Sequence, residues 1–227
     1  MMRTRLAFSL SFALALACGA ASAQAHDEDV DKVNGSITAE SGQTYGDLST
    51  VNGSIRIESS ARTGDADTVN GSIQAFDNVS TGGLTTVNGS IRVGTQARIA
   101  DGIETVNGSI FVDRGGDIAK GVETVNGAIG LVDTDLGAGI ETVNGDITVG
   151  IGSHVHGGIH VEKPGPSWFS MHKNKPPRIV IGPNAQVDGP LVFEREVVLY
   201  VHTTAKVGSI TGAKAIPFST DTAPGNR

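Results

Sequence analysis

Four histidines lie close together in the C-terminal half of the sequence and are the strongest candidates for chemistry. They are His154, His156, His160 and His172. His154 and His156 flank Val155, so in an extended strand both side chains point to the same face. Neutral imidazoles at this spacing can share Zn²⁺, Cu²⁺ or Ni²⁺. The four are therefore candidate ligands for a divalent transition metal, and no other cofactor is predicted. The alternative is a set of solvated histidines beside a loop.

The segment 162–178 combines aromatic and basic residues with several prolines. Aromatic anchors and cations are enriched at protein interfaces, which makes this segment a candidate partner-binding loop. The alternative is a flap that packs back over the neighbouring strands. The candidate contact residues are Trp168, Phe169, Met171, Lys173, Lys175 and Arg178.

Acidic residues are the third group that could do chemistry, because glycan-cleaving β-helix enzymes use paired carboxylates or a Ca²⁺ site. Here the aspartates occur mainly at predicted turns, as Asp47, Asp65, Asp101, Asp117, Asp133 and Asp135. A single carboxylate at a turn is favoured by turn chemistry alone. We therefore expect no enzymatic activity, and a polysaccharide-acting enzyme is the minor alternative.

All of these side chains must be positioned by a repeat that dominates the chain. The phrase Val-Asn-Gly-Ser-Ile, with Ala or Asp replacing Ser in the last two copies, recurs at intervals of 18 or 19 residues. Its asparagines are Asn34, Asn52, Asn70, Asn88, Asn107, Asn126 and Asn144. A fixed short period with the same turn residues in register is typical of a stacked repeat fold.

Apolar residues alternate in short runs within each repeat, as in Ile91-x-Val93, which predicts short strands joined by tight corners. We predict an all-β fold: a single parallel β-solenoid of about nine triangular coils of 18–20 residues. The general rule for parallel crossovers makes it right-handed. A series of Asn-Gly hairpins is the alternative. Hairpins, however, give no reason for the residues beside the turn to repeat.

The Asn-Gly pair is predicted to form one corner of every coil, because both residues tolerate positive φ. Stacked coils place equivalent asparagines about 4.8 Å apart. Inward-turned carboxamides at that spacing can hydrogen-bond to one another as a ladder. We therefore expect the seven asparagines to be structural.

Residues 1–23 are predicted to be a secretory signal peptide. Arg3 and Arg5 precede an apolar run that is too short to span a membrane. Cys18 lies where a lipoprotein leader carries its acylated cysteine, but Ala15 replaces the expected leucine, which argues against a lipid anchor. The remaining chain divides into a flexible lead-in (24–32), the repeat solenoid (33–161), the inserted loop (162–178), degenerate coils (179–210) and a tail (211–227).

Composition limits the partners. The chain has 24 acidic against 17 basic residues and a net charge of −7, and such a surface repels nucleic acid and anionic lipid. No second apolar stretch is long enough to cross a bilayer. We expect export to the periplasm, the outer-membrane surface or the medium. The expected partner is an envelope or surface protein or glycan, or another copy of the chain.

The repeated phrase, with Thr before it and Ile-x-Val after it, resembles the toastrack-type β-strand repeat domain of bacterial adhesin-like proteins over residues 33 to about 161. Segment 181–189 resembles the polymer-forming bactofilins over a shorter stretch. The first resemblance implies an envelope β-solenoid with a structural or adhesin-like role. The second implies a self-assembling scaffold or filament, which is the alternative. Neither resemblance supplies catalytic residues.

Overall fold

The structure, a computed structural model, describes residues 28–164 and 175–225, and every regular element in these residues is a strand. The strands form three parallel sheets that wind as a β-solenoid of about nine turns. This confirms the predicted fold class. The hairpin alternative is wrong, because equivalent residues pair in parallel register, Asn34 with Asn52 and Asn52 with Asn70.

Each coil contributes one strand to each sheet along most of the solenoid. Sheet 1 holds the strands that precede the repeated corner: Val30–Asn34, Leu48–Asn52, Ala66–Asn70, Leu84–Asn88, Ile103–Asn107, Val122–Asn126, Ile140–Asn144, Ile159–Val161, Leu191–Phe193 and Ile210–Thr211. Sheet 2 holds the strands that follow it: Ile37–Ala39, Ile55–Ile57, Ile73–Ala75, Ile91–Val93, Ile110–Val112, Ile129–Leu131, Ile147–Val149, Arg178–Ile181, Val198–His202 and Ala215–Phe218. Sheet 3 holds short strands: Ser80–Thr81, Arg98–Ile99, Asp117–Ile118, Asp135–Leu136, His154–Val155, Gln186–Val187 and Lys206–Val207.

The core is a thin column of aliphatic side chains between the three sheets. Strand alternation buries Leu84 from sheet 1 and both Ile91 and Val93 from sheet 2. Parallel register stacks like on like, so that Ile91 pairs with Ile110 on the next coil. Burying one such side chain stabilises the fold by about 1.5–3 kcal/mol. Each coil therefore packs against an equivalent coil, and this is why the same residue types recur at the same positions of the repeat.

A column of threonines faces this core. The buried column is Thr50, Thr68, Thr86, Thr105, Thr124 and Thr142. The first five donate their hydroxyl groups to the carbonyl of the repeated glycine on the preceding coil, at 2.8–3.2 Å. Each bond satisfies a corner carbonyl that would otherwise face the core unpaired.

The asparagines stack on the outside of the corner, so the expectation that they turn inward is wrong. All seven except Asn144 are exposed. From Asn52 to Asn144, each side-chain amide nitrogen donates to the carboxamide oxygen of the preceding asparagine at 3.0–3.2 Å. Strict alternation would carry Asn88 inward after Thr86. The alternation instead ends at Thr86, because Val87 is half-buried and Asn88 is exposed at the end of the same strand.

At the predicted corner, positive φ is found at two glycines of the repeated phrase, Gly35 (φ 114°) and Gly127 (φ 150°). It recurs more regularly at another corner. The non-glycine residues with positive φ lie between sheets 2 and 3 and are Ser60, Asn78, Gln96, Asp133 and Asn184. No asparagine of the repeated phrase is among the described residues with positive φ. The phrase glycine is required for space: a Cβ added to Gly89 would lie 1.9 Å from the carbonyl oxygen of Gly71. Close stacking of consecutive coils therefore selects glycine here.

Segment boundaries differ from the predicted ones in three places. The first strand begins at Val30, inside the predicted flexible lead-in. Arg178, assigned to the loop, opens a strand of sheet 2. Within the predicted loose tail, Ala215–Phe218 pairs with the preceding strand of sheet 2. This strand contains Pro217, and an outermost strand tolerates proline because its free edge needs no N–H donor.

The predicted signal peptide, with Cys18, lies outside the described residues. Among residues 28–164 and 175–225 there is no helix of the length and apolarity needed to cross a bilayer.

Candidate functional site

His154 and His156 form one cluster on the outer face of sheet 3. Val155 between them is fully buried, which directs both imidazoles outward. The two rings lie against each other, with centroids 3.9 Å apart and planes tilted by 39°. The two histidines therefore present their nitrogens to a common volume.

Two aspartates from neighbouring coils complete this cluster. His154 Nε2 lies 2.8 Å from Asp188 Oδ2, and His156 Nε2 lies 2.9 Å from Asp135 Oδ1. His156 Nδ1 is 3.5 Å from the same Asp188 oxygen. We call Asp135, His154, His156 and Asp188 the His–Asp cluster. Asp188 was not identified from the sequence.

Gln186 stabilises the ionised form of the Asp188 carboxyl group. Its side-chain amide donates to Asp188 Oδ1 at 2.6 Å, and this bond, followed by the one from His154, lowers the pKa of the Asp188 carboxyl. The carboxylate is therefore held ionised, with Oδ2 directed at the imidazoles. This is an arrangement that can hold a cation.

His160 does not join the other histidines. It lies on the Ile159–Val161 strand of sheet 1, so the corner after His156 carries it to another face of the coil. Its Nε2 is 3.4 Å from Glu194 Oε1, and its ligand atoms lie within 4.8 Å of those of Glu141 and Glu162. His172 lies outside the described residues. The predicted group of four is therefore not a single site.

A column of glutamates on sheet 1 is the feature that sequence reasoning missed. Glu104, Glu123 and Glu141 pair in register on successive strands, and His160 continues the column. The expectation that carboxylates occur singly at corners is therefore wrong for this sheet. The signal was present in the sequence, because each of the three glutamates opens a Glu-Thr-Val-Asn stretch at the same repeat position.

Crowding within this column changes its protonation. Partial burial, followed by the charges of Glu141, Glu104 and Glu162, raises the pKa of Glu123 to about 7. Burial also raises the pKa of Glu141, with Glu162 acting in the same direction and His160 opposing it. Glu141 Oε2 is buried and has no hydrogen-bond partner in the described part of the chain. The column can therefore hold a proton near neutral pH.

We expect Glu123→Gln to raise the free energy of unfolding by about 1 kcal/mol at pH 8, after allowance for solvent screening. Because the folded-state pKa is raised, the stabilising contribution of the protonated group is complete below the unfolded value near 4.5 and is lost as the pH rises through about 7. The variant should therefore differ little from the wild type at pH 4. Urea denaturation at both pH values measures this. The exposed Glu40→Gln is the control, and a gain at Glu123 that is equal at both pH values would contradict the prediction.

The insertion replaces the repeated corner of one coil. The chain leaves sheet 1 at Val161 and enters sheet 2 at Arg178. Of the predicted contact residues the structure describes only Lys175, which is exposed, and Arg178; Trp168, Phe169, Met171 and Lys173 lie outside the described residues. The Arg178 guanidinium donates to Pro224 O at 3.0 Å and lies 5.2 Å from the centre of the Tyr200 ring. Arg178 therefore ties the end of the chain to the solenoid.

Arg195 closes the asparagine ladder beside this insertion. Its guanidinium donates to the carbonyl of Val143 at 2.9 Å and to the carboxamide oxygen of Asn144. That oxygen would otherwise accept from the next asparagine, which the insertion replaces. A depression of about 220 Å³ lies here between Asn144, Asp146, Lys175 and Arg195. The corner thus presents cations on an acidic protein.

No protein-family model, curated protein or solved structure matches this chain. The resemblances to the toastrack-type repeat domain and to the bactofilins therefore stay predictions from the repeated phrase.

Proposed function

We propose that this protein is a non-enzymatic β-solenoid, exported by its N-terminal leader, with a structural or adhesin-like role at the bacterial cell envelope. The observation that supports this proposal is that stacked side chains on the outside of the solenoid form unbroken rows from coil to coil. The asparagine ladder runs without a break from Asn34 to Asn144. Such a rod spans distance and presents long regular faces, which suits a spacer or a display surface.

The aspartates at the corners also connect each coil to the next one. The backbone N–H of Asp65 donates to Asp47 Oδ1 at 2.8 Å, and the N–H of Gly83 donates to Asp65 Oδ1 at 2.6 Å. These aspartates pair backbone groups of the next coil. Their role is the one that turn chemistry favours, and it supports a scaffold more than a reaction centre.

The glutamate column is the observation that favours the alternative of a polysaccharide-acting enzyme. An acid near pH 7 beside other carboxylates is what glycoside cleavage uses. Yet the column is one row on one sheet, whereas the two carboxyl groups of a glycosidase flank the bond that is cleaved. The open depression of about 380 Å³ beside Glu141 and His160 is lined otherwise by glycine, isoleucine, proline and valine. These side chains offer no hydrogen bonds to sugar hydroxyls.

We expect the purified protein to release neither reducing ends nor unsaturated products from peptidoglycan or bacterial exopolysaccharides. The measurement compares the wild type with Glu141→Gln, which keeps the shape of the column but removes an acid. Product release by the wild type that disappears in Glu141→Gln would establish an enzyme and overturn the proposal.

The binding role is tested at the insertion, because it is the place where the regular corner is replaced and cations are exposed. Residues 164–177 are replaced by a short Gly-Ser turn, which costs little in closure entropy. We expect circular dichroism to stay β-rich and co-sedimentation with isolated envelope fractions to fall at least tenfold. Arg92→Gln on sheet 2 is the control. Equal sedimentation of the deletion variant and the wild type would move the contact to the repeat faces.

Self-assembly is the second candidate, and the open end of the solenoid favours it. Among the described residues, Val30–Asn34 and Ile37–Ala39 each pair on one side only, and Val33 is 63% exposed. Unpaired strand edges are templates for another chain. Electron microscopy and sedimentation of the purified protein distinguish monomeric rods from filaments.

A further inference from the structure

We propose that the His–Asp cluster, Asp135, His154, His156 and Asp188, is a binding site for one transition-metal ion, with Zn²⁺ the ion it fits best. The site is independent of the envelope role and does not need the insertion. It differs from the four-histidine group suggested by the sequence, since His160 lies on another sheet and two aspartates take part.

The donor set fits zinc in number and type. Two imidazoles and two carboxylates supply four ligands, and the two negative charges balance a divalent ion. Imidazole selects Zn²⁺, Cu²⁺ or Ni²⁺ over Mg²⁺ and Ca²⁺, which prefer six or more oxygen ligands. Three of the four donors are already close together, and Asp188 contacts both imidazoles. Ligand atoms of Asp135, His154 and His156 already lie within 4.8 Å of one another.

The distances require side-chain rotation before four ligands can share one ion. His156 faces Asp135 through Nε2 and Asp188 through Nδ1, and an imidazole coordinates an ion through only one of these nitrogens. Ligands of a tetrahedral zinc at 2.0–2.2 Å are about 3.3–3.5 Å apart. His156 Nδ1 and Asp188 Oδ2 are separated by 3.5 Å. The contacts at 2.8 and 2.9 Å are hydrogen bonds that must open by roughly 0.5 Å. Asp135 or the His156 ring must also rotate, and all four side chains are partly exposed, which leaves them room to do so.

Rigid strands hold the cluster in place. The backbone N–H groups of His154 and His156 donate to Thr134 O and Leu136 O at 2.8 and 2.9 Å, and that of Asp188 donates to Val155 O at 2.9 Å. Gln186 anchors Asp188 Oδ1 and leaves Oδ2 directed at the two imidazoles. Outer hydrogen bonds of this kind orient the ligands of metal sites. A bound ion would therefore join three consecutive coils across sheet 3.

The competing explanation is a network of histidine–aspartate ion pairs that binds nothing. It accounts for the same short contacts, so only a binding measurement separates the two. The full untagged chain is stripped with a chelator, dialysed and titrated with ZnCl₂ by isothermal calorimetry. We expect one ion per chain and a higher melting temperature in the presence of zinc.

Matched variants locate the ion. Replacing both imidazoles, in His154→Ala with His156→Ala, should weaken zinc binding at least 100-fold, and Gln186→Ala about tenfold through loss of ligand orientation. His160→Gln, on the other face, should bind zinc as the wild type does. Asp188→Asn keeps both imidazoles and the fold, so a tenfold or greater loss there supports the site even if the double variant unfolds. Cobalt(II) in the wild type should give the visible absorption of a tetrahedral complex.

Two results would overturn the proposal. One is the absence of zinc binding by the folded wild-type chain at millimolar ZnCl₂, which would leave the ion-pair network. The other is unchanged affinity in Asp188→Asn together with loss in His160→Gln, which would assign the metal to the glutamate column.

Discussion

Alanine in place of Gly89 is expected to lower the free energy of unfolding by about 3 kcal/mol or more. The added Cβ would lie 1.9 Å from the carbonyl oxygen of Gly71 and 2.5 Å from its carbonyl carbon. Both atoms belong to the backbone of the preceding coil and cannot rotate away. The two coils must separate, which weakens the hydrogen bond from Gly71 N to Asn88 O that joins them at 3.1 Å. Urea denaturation followed by circular dichroism measures the loss.

Gly83→Ala is the matched control, since Gly83 lies six residues earlier in the same coil. The nearest atoms to an added Cβ there are 3.6 Å away, an ordinary contact. We expect a change within about 1 kcal/mol, in either direction. Equal losses at the two positions would show that chain entropy, rather than close stacking of coils, selects the repeated glycine.

The solenoid itself could be predicted because the repeat that produces it is visible in the sequence. Each coil packs on a copy of itself, so like residues recur at the period of one turn, and the interval between successive asparagines is the length of a coil. Pairing of Asn34 with Asn52 is a direct consequence. The strand in the tail is harder to predict, because Pro217 is unfavourable within a sheet but not at its last edge.

The conformation of the corner could not be predicted, because it depends on contacts with the backbone of the preceding coil. The Asn-Gly pair is a strong local turn signal, and local reasoning assigned it positive φ and an inward amide. The structure shows instead that Gly89 is selected by the backbone of Gly71, 18 residues earlier in the sequence. Local propensity describes what a residue tolerates. It does not describe what the neighbouring coil leaves room for.

The candidate site was partly visible for the same reason. Alternation around Val155 places His154 and His156 on one face, and this can be read from the sequence. Asp188 could not be found, since it is 34 residues from His154 and the insertion breaks the period between them. Glu104, Glu123 and Glu141 keep the period, and a search along equivalent positions of the repeat would have found them.

Thr86→Val is expected to destabilise the protein by about 2 kcal/mol, and Asn88→Ala by about 1 kcal/mol or less. Valine keeps the shape of Thr86 but removes the hydroxyl that donates to Gly71 O at 2.9 Å inside the coil, so a corner carbonyl loses its donor in a place where water has little access. Asn88 is exposed, and water can replace its ladder partners at little cost.

The same exchange at an outward position separates the lost hydrogen bond from the change in side chain. Thr38→Val, at an exposed position of sheet 2, should alter stability by no more than about 0.5 kcal/mol. Urea denaturation of the three variants at one pH gives the comparison. A greater loss for Asn88→Ala than for Thr86→Val would place the stabilising polar ladder at the asparagines. The expected order places it at the threonines, because a hydrogen bond contributes most where the unpaired group cannot reach solvent.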